Sequence, residues 1–165
     1  MPVLSKSKFV RSPVERVFEF LTDVERHVEW SGELSFGLER ITKTTDGPLA
    51  VGSKFRSLGK MSHRAGVEDN STVTELELNR RFAWVTVSDG AGQQNTFQWA
   101  YTLQSIGDAT STRITYTLLE RRFDPKPPQM WFPPTLWLID RKVFGREMEA
   151  ALNRIKEALE RAPSG

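Results

Sequence analysis

Four side chains in this sequence are our candidates for moving a proton or holding a polar group in a cavity: Asp69, His63, Tyr101 and Arg141. Asp69 lies in phase with Val67 on a predicted strand, so it is expected on the inward face. His63 falls in phase with Phe55. Together a histidine, a carboxylate and a tyrosine can transfer protons on an enolisable carbonyl compound. Their spacing matches no known triad, and we favour a solvated hairpin loop for His63.

Arg141 lies three residues before Phe144 and seven before Met148, which puts it on or beside an apolar helix stripe. If it faced a cavity, it would hold a carboxylate, phenolate or carbonyl group of a ligand. Near the start of a helix an arginine more often extends its head into water. We favour this second interpretation.

Aromatic residues at alternate strand positions predict an inner wall that carries polar atoms. Trp99 and Tyr101 share one strand face, Tyr116 lies on the following strand, and Trp84 on an earlier one. Tryptophan and tyrosine bring a polar atom that needs a partner when buried, so their accumulation favours a partly polar cavity. The alternative is an aromatic core with satisfied hydroxyls. Trp30 either plugs that core or turns inward at the end of the pocket.

The composition argues against metal, nucleotide and nucleic-acid chemistry. The chain has no cysteine and two histidines, and it contains neither a His-Glu-x-x-His motif nor a glycine-rich loop after a strand. We therefore expect no metal and no cofactor. The 23 basic residues nearly balance the 21 acidic ones and are dispersed along the chain, so no nucleic-acid partner is expected.

The N-terminal segment MPVLSKSKFV carries charges where a secretory signal would need an apolar run. No segment approaches the roughly 20 apolar residues that cross a bilayer. Absence of cysteine suits a reducing compartment. We expect a cytoplasmic protein with no stable membrane insertion.

The first elements can be placed from capping and turn signals. Residues 5–10 read as an opening strand. Ser12 is predicted to cap a helix that has Pro13 at its first position, with Glu15 completing a capping box. Asp23 is then expected to cap a second short helix.

The rest of the chain predicts a sheet and one long helix. Residues 32–120 alternate between strand-like runs and turns, which indicates an antiparallel meander. Residues 124–135 form a proline-rich connector. Residues 136–161 keep one apolar face, and a helix of about 26 residues would be roughly 39 Å long. These elements predict one α+β domain over residues 1–165, with frayed ends at residues 1–2 and 162–165.

Five stretches, in this order, carry a family resemblance: SPVERVFEFLTDVERHVEW at 12–30, VGSKF at 51–55, VTELELNRRFAW at 73–84, TFQWAYTLQSIGDATSTRITYTL at 96–118, and ALNRIKEALE at 151–160. In order and spacing the chain resembles the SRPBCC superfamily, which includes START lipid-transfer domains, pollen-allergen-type proteins and the polyketide cyclase/dehydrase group. That family often has a proline just before the tryptophan of the first helical region, and here Glu29 precedes Trp30.

The resemblance implies a helix-grip fold, in which a curved antiparallel sheet wraps around a long C-terminal helix and two short helices follow the first strand. It also implies binding of a lipid, polyketide or aromatic compound in the cavity between sheet and helix. The residues expected to bind this ligand are Trp30, Phe55, Asp69, Trp84, Trp99, Tyr101, Tyr116, Trp137, Arg141, Phe144 and Met148.

Two other functions stay open at this point. A cyclase or dehydratase would act on a polyketide or related carbonyl compound through Asp69, His63, Tyr101 or Arg141. An interaction module would use the uncharged patch around Trp131 and Phe132. The surrounding segment 127–139 could serve as a ligand gate, a homodimer contact or a surface that touches membrane, and we rank them in that order.

Overall fold

The computed structural model describes residues 3–31, 36–61, 64–90, 93–124, 134–135, 138 and 140–161. Seven strands form its sheet: β1 Leu4–Val10, β2 Phe36–Lys43, β3 Lys54–Met61, β4 Arg64–Glu77, β5 Arg81–Gly90, β6 Gln93–Ile106 and β7 Ser111–Asp124. The helical elements are α1 Val14–Thr22, a 3-10 helix Val24–Glu29, a π-helical turn Asp140–Phe144 and α2 Gly145–Arg161.

The strands pair antiparallel in the order β1-β7-β6-β5-β4-β3-β2, so β1 and β2 form the two edges. Two of the hairpin turns contain residues with positive φ: Asn79 at 56° between β4 and β5, and Gly107 at 63° between β6 and β7. Asparagine and glycine tolerate this left-handed conformation better than other residues. The α+β class and the antiparallel meander predicted from the sequence are confirmed.

Helix α2 follows the predicted apolar stripe. It buries Met148, Leu152, Ile155 and Leu159, which recur three or four residues apart along one face. The continuous described helix begins at Asp140 with the π-helical turn rather than at residue 136, and residues 136, 137 and 139 lie outside the described part of the chain. At about 1.5 Å per residue, α2 itself is roughly 26 Å long.

The predicted capping box at Ser12 is wrong. The helix α1 begins at Val14 with Pro13 in the cap position and no side-chain cap hydrogen bond. Ser12 is instead buried, and its carbonyl oxygen accepts a 2.8 Å hydrogen bond from Thr112 Oγ1 on β7. Docking onto the sheet therefore fixes the start of α1 and draws the serine away from the helix end.

Asp23 does separate the two short helices, but through its backbone. Its N–H donates to the Glu19 carbonyl at 3.2 Å, and its carbonyl accepts from the Arg26 N–H at 3.1 Å. Its side chain makes no cap hydrogen bond. The 3-10 helix that follows has three residues per turn, so Val24, His27 and Trp30 lie on one face, and all three are buried.

The helices cover the concave face of the sheet from its two sides. α2 packs chiefly against β1 and β7, while the 3-10 helix packs against β2 at the opposite edge. Bulges between Val73 and Glu75 and between Gln98 and Trp99 interrupt the central strands and add curvature. The inner face of the central strands therefore lies between the two helical covers.

Strands β2 and β3 approach each other closely at Gly59. A β-carbon built on Gly59 would collide with the backbone carbonyl oxygen of Gly37. Because the obstacle is backbone, no side-chain rotation could relieve it.

We predict that Gly59→Ala lowers the free energy of unfolding by about 1–3 kcal/mol, since β2 and β3 must separate to admit the methyl group. Urea denaturation measures this change. Arg56→Ala, on the exposed face of the same strand, is the control and should stay within about 0.5 kcal/mol of the parent. Equal stability of Gly59→Ala and the parent would contradict the close approach.

Candidate ligand-binding cavity

A cavity of about 200 Å³ lies between the concave face of the sheet, the 3-10 helix and α2. Strands β2 to β7 and the start of α2 all contribute side chains to its wall. At about 30 Å³ for each water in the liquid, the volume corresponds to roughly seven waters, or a ligand on the order of ten non-hydrogen atoms.

Aromatic rings form much of the wall. Trp84, Trp99 and Tyr116 line it from β5, β6 and β7, and Phe144 closes it from the helical side. The Trp99 ring centroid lies 5.6 Å from that of Tyr116 and 6.0 Å from that of Phe144. These contacts join the sheet to the helix around the cavity and present ring faces suited to a flat apolar ligand.

Polar side chains occupy the central strands. The register places Ser57 opposite Asp69 and Asp69 opposite Ser88, and all three line the cavity. One register step away, Ser71 and Thr86 are paired, and their hydroxyl oxygens lie 2.9 Å apart. The cavity is therefore apolar around the aromatic rings and hydrogen-bonding on one side.

Asp69 is the acidic group of this polar side. Burial raises the pKa of its carboxyl group, and a hydrogen bond from the Ser88 hydroxyl offsets part of that rise. Its Oδ1 atom is buried and has no hydrogen-bond partner among the described residues. A buried oxygen in this state accepts a hydrogen bond from any donor that enters.

His27 also lines the cavity, although the sequence analysis gave it no role. Only 4% of the residue is exposed, and its Nε2–H donates to the Leu21 carbonyl oxygen at 2.8 Å. A carbonyl can only accept, so Nε2 carries the proton and Nδ1 keeps its lone pair. Burial lowers the pKa of His27 to about 4, and the bond to Leu21 only partly opposes this.

Tyr101 and Trp30 lie behind the cavity wall rather than on it. Tyr101 is 1% exposed, and its ring stacks on Tyr116 with centroids 4.5 Å apart. Trp30 is fully buried and stacks on Phe20 at 4.6 Å. Its Nε1 approaches the Tyr101 hydroxyl without reaching ordinary hydrogen-bond geometry with any described residue. Burial raises the pKa of both tyrosines.

The sequence-predicted site residues thus fall into four groups. The structure brings seven to the cavity: Phe55, Asp69, Trp84, Trp99, Tyr116, Phe144 and Met148. Two lie behind it, Trp30 and Tyr101. Arg141 is exposed in the π-helical turn and does not line the described wall. His63 and Trp137 lie outside the described residues. The roles assigned to all of them stay predictions.

Neither a metal cluster nor a membrane-spanning helix is found within the described ranges. No group of three or more histidine, aspartate or glutamate side chains there is placed to hold a metal ion. None of the helices in those ranges combines the length and the apolar character needed to cross a bilayer.

A family model described as polyketide cyclase/dehydrase and lipid transport matches residues 1–160. The chain belongs to this family. The match covers all the described strands and nearly all of α2. No curated protein matches the chain.

Solved structures show the same helix-grip fold over nearly the whole chain. The Zhui aromatase/cyclase from Streptomyces sp. R1128 has a TM-score of 0.70 at 17% identity, covering 98% of this chain and 97% of that one. A START superfamily protein from Mycobacterium smegmatis has a TM-score of 0.67 at 15% identity, covering 97% and 98%. At these identities the likeness establishes the fold, and the curved sheet around the C-terminal helix agrees with it.

We predict that protonation of His27 destabilises the folded protein in mild acid. Its folded pKa of about 4 lies below the ordinary value of 6.5, so the unfolded chain binds the extra proton first. The His27 contribution is therefore intact above pH 6.5 and is lost as pH falls from 6.5 towards 4. The loss is on the order of 3 kcal/mol.

Urea denaturation across that pH range, on the parent and on His27→Gln, measures the effect. Glutamine keeps a side-chain N–H donor for the Leu21 carbonyl and does not titrate, so the variant should have the shallower pH dependence. His63→Gln removes the other histidine of the chain and is the matched control. The assignment fails if the His63 variant, rather than the His27 variant, flattens the curve.

Proposed function

We propose that the protein binds a small apolar molecule, such as a lipid fragment, a polyketide or an aromatic compound, in the cavity between the sheet and α2. The observation that carries this proposal is the wall itself, where Trp84, Trp99, Tyr116 and Phe144 surround about 200 Å³ of space. A cavity of this kind matches the family description, which joins polyketide cyclase/dehydrase and lipid transport.

The energetics support a ligand of modest affinity. A molecule that buries about 250 Å² of apolar surface gains roughly 6 kcal/mol at about 25 cal/mol per Å². Loss of translational and rotational freedom reduces this gain, while ring stacking adds to it. Because 6 kcal/mol alone would correspond to about 40 μM and stacking offsets the lost freedom only in part, we expect dissociation constants on the order of hundreds of micromolar for simple aromatic probes.

The neutral dye 4-(dimethylamino)benzonitrile tests the proposal directly, because its size suits a cavity of about 200 Å³ and its fluorescence rises when it leaves water for apolar surroundings. We predict a saturable increase with one dye per chain. Ala151, on α2, is 5% exposed and lines the cavity. Ala151→Phe should weaken binding at least about tenfold, because the added ring occupies the space that the dye needs.

Glu149→Phe is the matched control, since it adds the same ring to an exposed position of the same helix. It should leave the dye affinity within about twofold of the parent. Circular dichroism confirms that both variants are folded. Absence of saturable binding by the parent, or equal binding by the two phenylalanine variants, would contradict the proposed cavity function.

A second candidate function is acid–base catalysis, favoured by the presence of His27 and Asp69 on the wall of one cavity. In the elimination of water from a β-hydroxy ketone, His27 Nδ1 would take the α-proton and Asp69 would protonate the departing hydroxyl group. The carbon–oxygen bond breaks, a carbon–carbon double bond forms, and the proton returns from His27 to Asp69 through water. With a pKa of about 4, His27 is a weak base at neutral pH, and Asp69 can act as the acid only while its carboxyl group is protonated, so we place catalysis second.

The substrate 4-hydroxy-4-phenylbutan-2-one tests this candidate, because its elimination product is a conjugated ketone that absorbs in the near ultraviolet. If the cavity catalyses the reaction, Asp69→Asn should lower kcat by about a hundredfold or more, and His27→Gln likewise. Glu68→Gln changes the same charge on the exposed face of β4 and is the control. Catalysis that survives both cavity substitutions would exclude these two residues as acid and base.

The third function predicted from the sequence, interaction through Trp131 and Phe132, concerns residues outside the described part of the chain. It stays a prediction, as do the three alternatives for segment 127–139. The cytoplasmic location and the homodimer likewise stay predictions.

A further inference from the structure

Four adjacent strands each place one polar residue in a single row across the sheet. The register pairs Ser57 with Asp69, Asp69 with Ser88, and Ser88 with Asn95. Residues directly opposite each other on paired strands point to the same face. The first three line the cavity, so the row lies on the cavity side. Neighbouring strands are about 4.8 Å apart, which gives the row a span of roughly 14 Å.

Three residues of the row are buried and Asp69 is partly exposed, and not all of their oxygens have a hydrogen-bond partner among the described residues. Ser57, Ser88 and Asn95 are each 5–7% exposed. The Oδ1 atoms of Asp69 and Asn95 are both buried and lack a hydrogen-bond partner among the described residues. Most buried side-chain oxygens in folded proteins have a partner, because leaving one unpaired costs about 1–3 kcal/mol. Asp69 also lines the cavity, so its unpaired acceptor favours a ligand that brings a donor.

The charges around the row indicate which donors fit. No lysine or arginine lines the cavity within the described part of the chain, whereas Asp69 and Glu147 do. Glu147 lies close enough to Tyr116 to raise the pKa of its hydroxyl. A ligand carboxylate would thus be taken out of water beside the carboxyl group of Asp69, with no lysine or arginine among the described lining residues to offset the cost. A neutral hydroxyl group suffers no such repulsion.

We propose that Asp69, with Ser57 and Ser88 beside it in the row, recognises a hydroxyl group, so that the cavity selects neutral apolar alcohols or phenols over carboxylates of the same shape. This inference rests on the proposed binding function and adds the ligand class to it. The ligand O–H donates to Asp69 Oδ1, and its apolar body lies against the aromatic wall. Ser57 and Ser88 flank the point of contact; the Ser88 hydroxyl donates to Asp69, and its oxygen can still accept a hydrogen bond.

Four ligands on one scaffold test the selection by isothermal titration calorimetry at pH 7: naphthalene, 2-naphthol, 2-methoxynaphthalene and 2-naphthoate. The first has no polar group, the second donates and accepts, the third only accepts, and the fourth is an anion. We expect 2-naphthol to bind about tenfold more tightly than 2-methoxynaphthalene, which is the effect of one hydrogen bond to a buried acceptor. 2-Naphthoate should bind most weakly.

Substitutions at Asp69 assign the preference to the row. Asp69→Leu removes the acceptor and should bring the affinity ratio of 2-naphthol to 2-methoxynaphthalene close to one, with naphthalene affinity changed by less than about threefold. Asp69→Asn keeps an acceptor oxygen in nearly the same shape but removes the charge. It should keep the preference for 2-naphthol and tighten 2-naphthoate binding by at least about threefold. Glu68→Gln should leave all four affinities unchanged.

The outcomes separate this inference from the proposed function. Binding of naphthalene with equal affinities for 2-naphthol and 2-methoxynaphthalene would overturn the hydroxyl selection and leave apolar binding in place. A preference for 2-naphthol that survives Asp69→Leu, or a 2-naphthoate affinity that Asp69→Asn does not change, would also overturn it. Failure of all four ligands to bind would count against both.

Discussion

The fold depends on how the concave face of one seven-stranded sheet is covered. The described helices dock mainly near its two edges, with α2 against β1 and β7 and the 3-10 helix against β2. Between these contacts the cavity separates the inner face of β3, β4 and β5 from the helices. A sheet face that packed directly against a helix would carry aliphatic residues throughout. Here the same face carries serine, threonine and aspartate beside aromatic rings.

This arrangement assigns separate tasks to the two halves of the wall. The aromatic half joins sheet to helix through ring contacts such as Trp99 to Phe144, so it contributes to the stability of the fold as well as to the cavity. Removing one such ring would therefore change both. The polar half, around Asp69, contributes hydrogen-bonding groups whose burial is unfavourable unless something occupies the space in front of them. We accordingly expect the polar side chains around Asp69 to determine which ligand binds, and the aromatic rings to contribute most of the affinity.

Strand alternation in the sequence was sufficient to orient Asp69, Trp84, Trp99 and Tyr116 towards the interior. It could not separate residues that line the cavity from those behind it, which is why Tyr101 was included with them. His27 was missed because it lies in a 3-10 helix, although Val24, His27 and Trp30 do recur at the interval of three that such a helix requires. Asn95 was also missed, because it follows two glutamines and this polar sequence is typical of the end of a hairpin. The predicted cap at Ser12 is wrong because the hydrogen bond from Thr112 on β7, a residue distant in sequence, outweighs the local capping preference.

The strand order leaves the sheet open, with β1 and β2 as its outer strands. Helical side chains bond part of their outer backbone: Lys156 Nζ donates to the Phe9 carbonyl at 3.2 Å, and the Lys43 N–H donates to Glu25 Oε1 at 3.3 Å. An edge strand can pair with an edge strand of another molecule and form a continuous sheet, and positively charged side chains on the edge disfavour this pairing. β1 carries Lys6 and Lys8, and β2 carries Arg40 and Lys43. Two copies that paired β1 with β1, or β2 with β2, would bring these positive charges close together. These positive charges therefore oppose self-association through sheet extension.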